Sequence, residues 1–457
     1  MSLASLLIAT AVITAPMFEG ELIFPPEPWH NHGSSVVETP AGNLLAVWFH
    51  GSGERTADDV KLLGARKRPG GGWSEPFEMA DTPDLPDCNP VLFVDPRGVL
   101  WLFWITVQDN EWGGSLLKCR IAEDYEGDGP PVWKWQDVIH ARPRDLEQRF
   151  QAVVEKGLDM LDPFLEVEPK IKKEIEDAAK KAGVKLHQRL GWMTRIHPIM
   201  VGEQRMLLGL YSDVFNCSLA AWTEDWGKTW QFSYPILDPD PLKIANIQPS
   251  FARRKDGTIV AFMRDNGFPH FVRVSESRDG GMSWGPVDAL DIRNPGSSVE
   301  TLVLRSGRWL LVGNDTFQGR HRLTVFLSED EGRTWPVSRS VGKVEENKGN
   351  FSYPSVIQAR DGMIHLTYSW RQDGTEGSSI KHVCFNEDWI AATGPRAVSE
   401  NAEDTAIPYA VLDDPRLSLI AKGLYALVLT GQGQPINPYE DAIEDVEAWL
   451  RLRREVD

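Results

Sequence analysis

TEDWGKTW at Thr223–Trp230, SRDGGMSW at Ser277–Trp284 and SEDEGRTW at Ser328–Trp335 share the pattern S/T-x-D-x-G-x-T/S-W. The pattern encodes a tight turn. The Asp carboxylate accepts hydrogen bonds from the turn backbone, the Gly supplies a positive φ, and the Trp packs beneath as a plug. Trp230, Trp284 and Trp335 lie 54 and 51 residues apart, and a weaker relative, RPGGGWSEP, carries Trp73 and Ser74. A second marker has the same period. A turn glycine followed by an apolar or alternating run occurs at Gly42, Gly98, Gly202, Gly257, Gly307 and Gly362, with spacings of 56, 104, 55, 50 and 55. The long interval is one repeat plus a charged amphipathic stretch that reads as two helices, from about Arg144 to Gly183.

Six units of about 50 residues with β-type runs predict an all-β fold, a six-bladed β-propeller with a helical insertion at about 144–183. A seventh blade or a split sandwich is the lesser alternative. The propeller is expected over 21–400, after a possible signal or N-terminal segment at 1–20. Residues 401–457 lose the repeat markers and read as a short helical tail.

Composition narrows the function classes. The 457 residues carry 48 basic and 66 acidic side chains, a net charge of −18, which argues against nucleic acid or an anionic membrane surface as a partner. An anionic substrate would need positive charge supplied locally. The 18 Trp residues are many for any chain, and the repeat positions of Trp73, Trp230, Trp284 and Trp335 assign part of that excess to turn plugs. Trp29 and Trp112 remain as candidates for stacking on sugar. Cys88, Cys119, Cys217 and Cys384 form no C-x-x-C pair, so they read as free thiols with disulfides not required. No metal cluster with ligand spacing and no nucleotide loop is present, so no cofactor is expected. MSLASLLIATAVITAP has the apolar length of a signal peptide without the usual preceding Lys or Arg, which leaves export and a cytoplasmic location both open. No other segment reaches the length of a membrane span.

The repeated turns resemble the Asp-boxes of the sialidase (neuraminidase) superfamily and its BNR repeats. From about Trp29 to Trp389 the chain is similar to bacterial sialidase-like proteins, above all in IQPSFARRKDGTIVAFMRDNG, NPGSSVETLVLRSGRWLLVGND and YPSVIQARDGMIHLTYSW. The resemblance implies three arginines that clamp a sugar carboxylate, a Tyr nucleophile with a Glu partner, and an Asp acid/base on a first-blade loop. By motif these fall on Tyr353 in FSYPSV, Glu300 in SSVETLVLRSG, Asp58 or Asp59 in GERTADDVKLLGAR, and Arg320 in QGRHRL. The first and second arginine positions hold His32 and Asn314 instead.

The chemistry can also be read from the residues alone. A phenol is a poor nucleophile near neutral pH unless a neighbouring base takes its proton, which makes Tyr353 with Glu300 a plausible unit. A neutral nucleophile also avoids the repulsion that a carboxylate would meet at an anionic sugar. Asp58 or Asp59 would protonate the leaving oxygen. His30 and His32 open another route, in which a neutral His abstracts the proton alpha to a uronate carboxylate and Tyr353 returns one. Arg264, Arg320, Arg371 and Lys381 would hold the acid. Arg195, Asp213, Gln248 and Asn89 flank the same motifs at strand ends, which converge on one face of a propeller and are pocket candidates. Each residue has a structural alternative: core strand for Tyr353, strand start for Glu300, plain loop acidity for Asp58 and Asp59, capping for the histidines, and pairing with a turn acid for Arg320.

The leading expectation is a sialidase-like exo-glycoside hydrolase acting on a terminal acidic or unusual sugar of a glycan. The alternatives are a uronate-specific polysaccharide lyase using His32 and Tyr353, and a non-catalytic carbohydrate-binding propeller.

Overall fold

The computed structural model describes residues 15–165, 169–267, 270–394 and 396. Within them the repeats become six antiparallel sheets, five of four strands and one of five, packed as blades around an axis. The inner strands are His30–Glu38, Asp87–Val94, Met193–Thr194, Asn246–Arg253, Glu300–Val303 and Gly349–Gln358, for blades 1 to 6 in order. Blade 6 takes its outermost strand from the start of the chain. Phe18–Leu22 pairs antiparallel with Ser379–Phe385, and the Phe18 ring stacks on Trp389 at 4.4 Å. The last blade therefore closes onto the first segment by hydrogen bonds and aromatic packing. The four cysteines are free, three buried and Cys384 half-buried.

Helices Leu146–Leu165, Pro169–Ala182 and Lys185–Arg189 lie between the outer strand of blade 2 and the inner strand of blade 3. Phe150 meets Phe215 at 5.2 Å, and Gly191, at φ 77°, lies against the Gly113 backbone with no room for a Cβ. The helical segment thus packs against the connecting loops of blades 2 and 3. No helix among the described residues is long and apolar enough to cross a membrane. The expected tail at 401–457 and residues 1–14 of the expected N-terminal segment lie outside the described residues.

The three turn motifs share one hydrogen-bond pattern. Asp225 accepts from the Thr229 backbone N–H at 2.8 Å and from its hydroxyl at 2.7 Å, while Gly227 N–H donates to Thr223 Oγ1. Asp279 with Ser283, and Asp330 with Thr334, repeat this. The glycines lie against side chains of the preceding blade, Gly332 also against Trp309 of its own. A Cβ on Gly227 would meet Trp101 at 2.8 Å, and one on Gly332 would meet Trp309 at 2.7 Å and Phe262 at 2.9 Å. Glycine is needed there for close approach as well as for its positive φ.

The axis poses a different problem. Each inner strand is a sheet edge, with backbone N–H groups buried away from water. Side-chain oxygens from the preceding blade satisfy them. Ser35 of blade 1 accepts from Leu92 N–H at 3.0 Å, Ser250 of blade 4 from Thr301 N–H at 2.8 Å, and Ser355 of blade 6 from Val36 N–H at 3.1 Å. In blade 5 the acceptor is Glu300, whose Oε2 takes the Val356 N–H at 2.9 Å. The other oxygen of Glu300 receives His197 Nδ1 at 2.6 Å, and His197 Nε2 faces the Val36 carbonyl at 3.0 Å and Ser35 Oγ at 3.2 Å. Ser35, His197 and Glu300 therefore stand in the order of a nucleophilic triad. They are a clasp: Ser35 is 1% exposed, and its oxygen is engaged by the Leu92 amide.

This geometry revises the expected role of Glu300. Its carboxylate is 2% exposed and committed to blades 3 and 6, so it is not free to partner Tyr353. Removing the acceptor of a buried donor costs about 1–3 kcal/mol for each group left unsatisfied. Glu300→Ala is expected to lose stability on that scale in urea unfolding; unchanged stability would contradict the clasp.

Candidate active site

Four inner strands carry a β-bulge at the same place. Two residues of the inner strand oppose one residue of the next strand at Gly33-Ser34, Asn89-Pro90, Gln248-Pro249 and Tyr353-Pro354. The first residue of each pair is left-handed, with φ of 63°, 51°, 56° and 57°. A bulge re-aims a side chain, and proline, which cannot donate to the ladder, is tolerated there. A left-handed non-glycine residue costs about 1–3 kcal/mol and persists only where its surroundings hold it. Arg195 contributes to that hold. Its guanidinium is 2% exposed and donates to the carbonyls of Ser34 (3.1 Å), Tyr353 (2.6 Å) and Pro354 (3.3 Å).

The bulged side chains line a cavity of about 1520 Å³ on the axis. Tyr353 is among the residues that line it. The phenol oxygen accepts from Arg264 Nη1 at 3.2 Å. The Arg195 and Arg320 guanidiniums lie 5.0 and 5.3 Å from the ring centroid, and the His32 ring is 4.2 Å away. Burial, then the neighbouring His30, Arg320, Arg195 and Arg264, push the His32 pKa well below its usual value, so the imidazole is neutral at neutral pH. Arg320, Arg264 and Arg371 supply positive charge to the walls. Trp29, 44% exposed, and Trp112, which lies under the Arg55 guanidinium at 5.2 Å, also line the cavity.

Among the acids, Glu54 lines the cavity on the loop between the second and third strands of blade 1. Burial raises its pKa, against the pull of Arg320, Arg55 and Arg264. Asp213, also in the lining, is raised by burial as well.

The expected site residues divide accordingly. Tyr353, His32, Arg320, Arg264, Arg371, Gln248 and Asn89 share the cavity. Asp58 and Asp59 do not. They are exposed, Asp58 accepting from Asn110 Nδ2 and Asp59 from the backbone and hydroxyl of Ser52. Asp59 therefore shapes the loop that presents Glu54. Arg195 lies outside the lining, behind the Tyr353 ring, and acts by positioning. Asn314 is fully buried and donates to the Arg322 and Phe351 carbonyls, joining blades 5 and 6. Lys381 sits on the third strand of blade 6, paired with Leu22 and Tyr368, away from the cavity. Sequence reasoning missed Glu54 and Tyr211. The dipeptides Asn89-Pro90, Gln248-Pro249 and Tyr353-Pro354 were the available signal for the bulges, because proline inside a strand marks one. Among the described residues no group of three or more His, Cys, Asp or Glu is placed to hold a metal ion.

The sequence model of the BNR repeat-like domain matches residues 42–146 and 185–366, breaking across the helical segment. The chain belongs to this family, within the sialidase and BNR-repeat superfamily. It is 25% identical over 247 residues to a sialidase of Micromonospora viridifaciens, covering 49% of this chain and 35% of that protein. The matched region thus spans about a third of the length of that relative. Among solved structures, a protein of unknown function from Dyadobacter fermentans superposes with a TM-score of 0.59 at 15% identity, covering 80% of this chain and 98% of that one. A leech intramolecular trans-sialidase, solved with 2,7-anhydro-Neu5Ac, gives 0.59 at 12% identity over 83% of this chain and 72% of its own. At these identities the structures share the propeller fold with this member of the BNR repeat-like family.

The electrostatics of the cavity make a direct prediction. The Glu54 carboxyl should titrate above the usual carboxylate range in ¹³C NMR, and Arg320→Met should move it further up by removing an opposing charge. A downward move would contradict the arrangement.

Proposed function

We propose that this member of the BNR repeat-like family is a glycoside hydrolase acting on an acidic sugar of a glycan, with Tyr353 as nucleophile. The observation that carries the reading is the Tyr353 hydroxyl held by Arg264 on the axis of a cavity walled by further arginines. A guanidinium touching the phenol oxygen offsets the charge that develops as the hydroxyl proton leaves. His32 stays neutral against the Tyr353 ring, and the phenol proton is released to solvent in the open cavity. Tyr353 then attacks the anomeric carbon while the glycosidic C–O bond breaks. Glu54, whose raised pKa favours its protonated form, donates to the departing oxygen. The resulting Glu54 carboxylate activates the water that releases the sugar from Tyr353. Arg264, Arg320 and Arg371 receive the substrate carboxylate, which supplies local positive charge in a chain of net charge −18.

A second reading uses the same two residues. A neutral imidazole against a Tyr and an Arg also suits abstraction of the proton alpha to a uronate carboxylate. A screen of sugars released from mixed acidic glycans separates the two, since a lyase product carries an unsaturated uronate with its own ultraviolet absorbance and a hydrolysis product does not.

On a substrate found in that screen, Tyr353→Phe is expected to lower turnover by orders of magnitude with little change in Tm. Wild-type turnover in this variant would sink the nucleophile assignment. Because Glu54 must be protonated to donate, kcat is expected to fall as pH rises through its raised pKa. Glu54→Gln should lack that limb and lose about 10²–10⁴-fold in rate.

A further inference from the structure

Glu54 stands on the loop between the second and third strands of blade 1. The equivalent loop of blade 2, between Leu100–Val107 and Ser115–Asp124, reaches across to it. Asn110 is a point of contact. Its side-chain amide donates to the Arg55 carbonyl at 2.9 Å and to Asp58 Oδ1 at 2.9 Å, so both hydrogens of Nδ2 are committed to the blade 1 loop. Arg55 directly follows Glu54, so the amide fixes the backbone beside the one from which the Glu54 side chain departs. The Arg55 side chain adds to the grip. Its guanidinium lies 5.2 Å from the Trp112 ring centroid, and its Nε is 3.5 Å from Glu111 Oε2. Three consecutive residues, Asn110, Glu111 and Trp112, thus hold the neighbour of the acid. The holding loop is itself braced. Asp109 Oδ1 accepts from the Glu111 N–H at 3.2 Å, the Gly114 N–H donates to the Glu111 carbonyl at 2.9 Å, and Gly113 lies against Val214 and Gly191. Asn110 is left-handed, with φ of 56°, a conformation that asparagine tolerates better than most residues. On the blade 1 side, Asp59 accepts from the Ser52 N–H and hydroxyl at 3.0 and 2.9 Å, which closes the base of the loop. With the base closed, what Asn110 adds is the placement of the tip.

We propose that Asn110 is a positioning residue for Glu54, so that blade 2 aims the acid carried by blade 1. The inference rests on the reading of Glu54 as the proton donor and adds what holds it in place. A carboxyl that protonates a departing oxygen works only within hydrogen-bond reach of it, and surface loops are the more mobile parts of a fold. Two bonds from one amide restrain both the tip carbonyl and the Asp58 side chain. They also give the Asp58 carboxylate a partner outside the cavity lining. The same restraint preserves the surroundings of Glu54. Its carboxyl is influenced by Arg55 on its own loop, Arg264 of blade 4, Arg320 of blade 5, Asp213 of blade 3 and Cys88 of blade 2. Burial is the largest of the influences on it and outweighs the arginines. A loop that loosens admits water, and the carboxyl then ionises more readily.

The test is Asn110→Gly in the full chain. Glycine adopts the left-handed φ at no steric cost and removes the amide, so the backbone of the blade 2 loop is kept. The Glu54 carboxyl, followed by ¹³C NMR, is expected to titrate about half a pH unit or more below its wild-type midpoint. On a substrate found in the screen of released sugars, kcat is expected to fall about ten- to a hundredfold with KM within about twofold. The high-pH limb of kcat should move down together with the Glu54 midpoint. A role in stability alone would lower Tm and leave the Glu54 titration where it is. One measurement needs no variant: in the wild type the two Nδ2 hydrogens of Asn110 should exchange with solvent more slowly than those of a free asparagine amide. An unmoved Glu54 titration in Asn110→Gly, or Nδ2 hydrogens that exchange as fast as a free amide, overturns the positioning and leaves the acid role standing. A wild-type kcat with no limb at the Glu54 midpoint overturns the acid role and the inference with it.

Discussion

A ring of blades turns six sheet edges toward one axis, and the buried N–H groups of those edges must be answered there. Side-chain oxygens of Ser35, Ser250, Ser355 and Glu300 do this for the neighbouring blade. The His197–Glu300 contact at 2.6 Å joins blades 3 and 5, and the second nitrogen of the same imidazole reaches blade 1. Everything above this clasp depends on it. The bulges begin two or three residues before the clasped positions, so the direction of each bulged side chain follows from how firmly the strand beneath is held. The functional consequence is that a glutamate resembling a catalytic partner serves the architecture, while the cavity draws its acid from a loop.

Strain and charge are then combined at one place. Asn89, Gln248 and Tyr353 are held left-handed, a conformation that their own side chains disfavour. Arg195 secures two of the bulges by bonding their carbonyls, and it lies behind the aromatic ring that the Tyr353 bulge projects. The same guanidinium therefore fixes backbone geometry and adds positive potential near the phenol. Arg264 and Arg320 add more, and together with burial, the larger cause, they keep His32 neutral. A strongly acidic protein can in this way present Arg264, Arg320 and Arg371 to an anion in one chamber, because burial weakens screening by solvent and the nearest charges dominate.

The turn motifs make the complementary contribution at the blade peripheries. Each Asp is saturated by hydrogen bonds from its own turn, and each glycine admits a neighbouring side chain that a Cβ would exclude. These contacts let neighbouring blades approach closely at the outer turns. Phe150 of the helical segment packs on Phe215, and Gly191, which follows the segment, on Gly113, next to the loops that carry Asp213 and Trp112.

Blade number and the position of the helical segment were legible in the chain because both are local. A turn with Asp, Gly and Trp at fixed offsets needs only neighbours in sequence, and the six turn glycines that share its period of about 50 residues count the blades. Tyr353, His32 and Arg320 were legible through the family resemblance of the stretches that carry them, and Arg264 through the chemistry an acidic ligand needs. Tertiary structure alone decided which polar residues share the chamber. Strand side chains alternate with period two, so a single extra residue in a bulge moves the next side chain to the opposite face. That shift sends Gln248 and Tyr353 inward. Contacts between residues far apart in sequence commit Glu300 to His197, Asn314 to Phe351 and Arg195 to Ser34, and withdraw them from the chamber. Glu54 in place of Asp58 or Asp59 has the same origin. The chain specifies an acidic loop, but which acid is desolvated among the arginines is set only when the blades close around it.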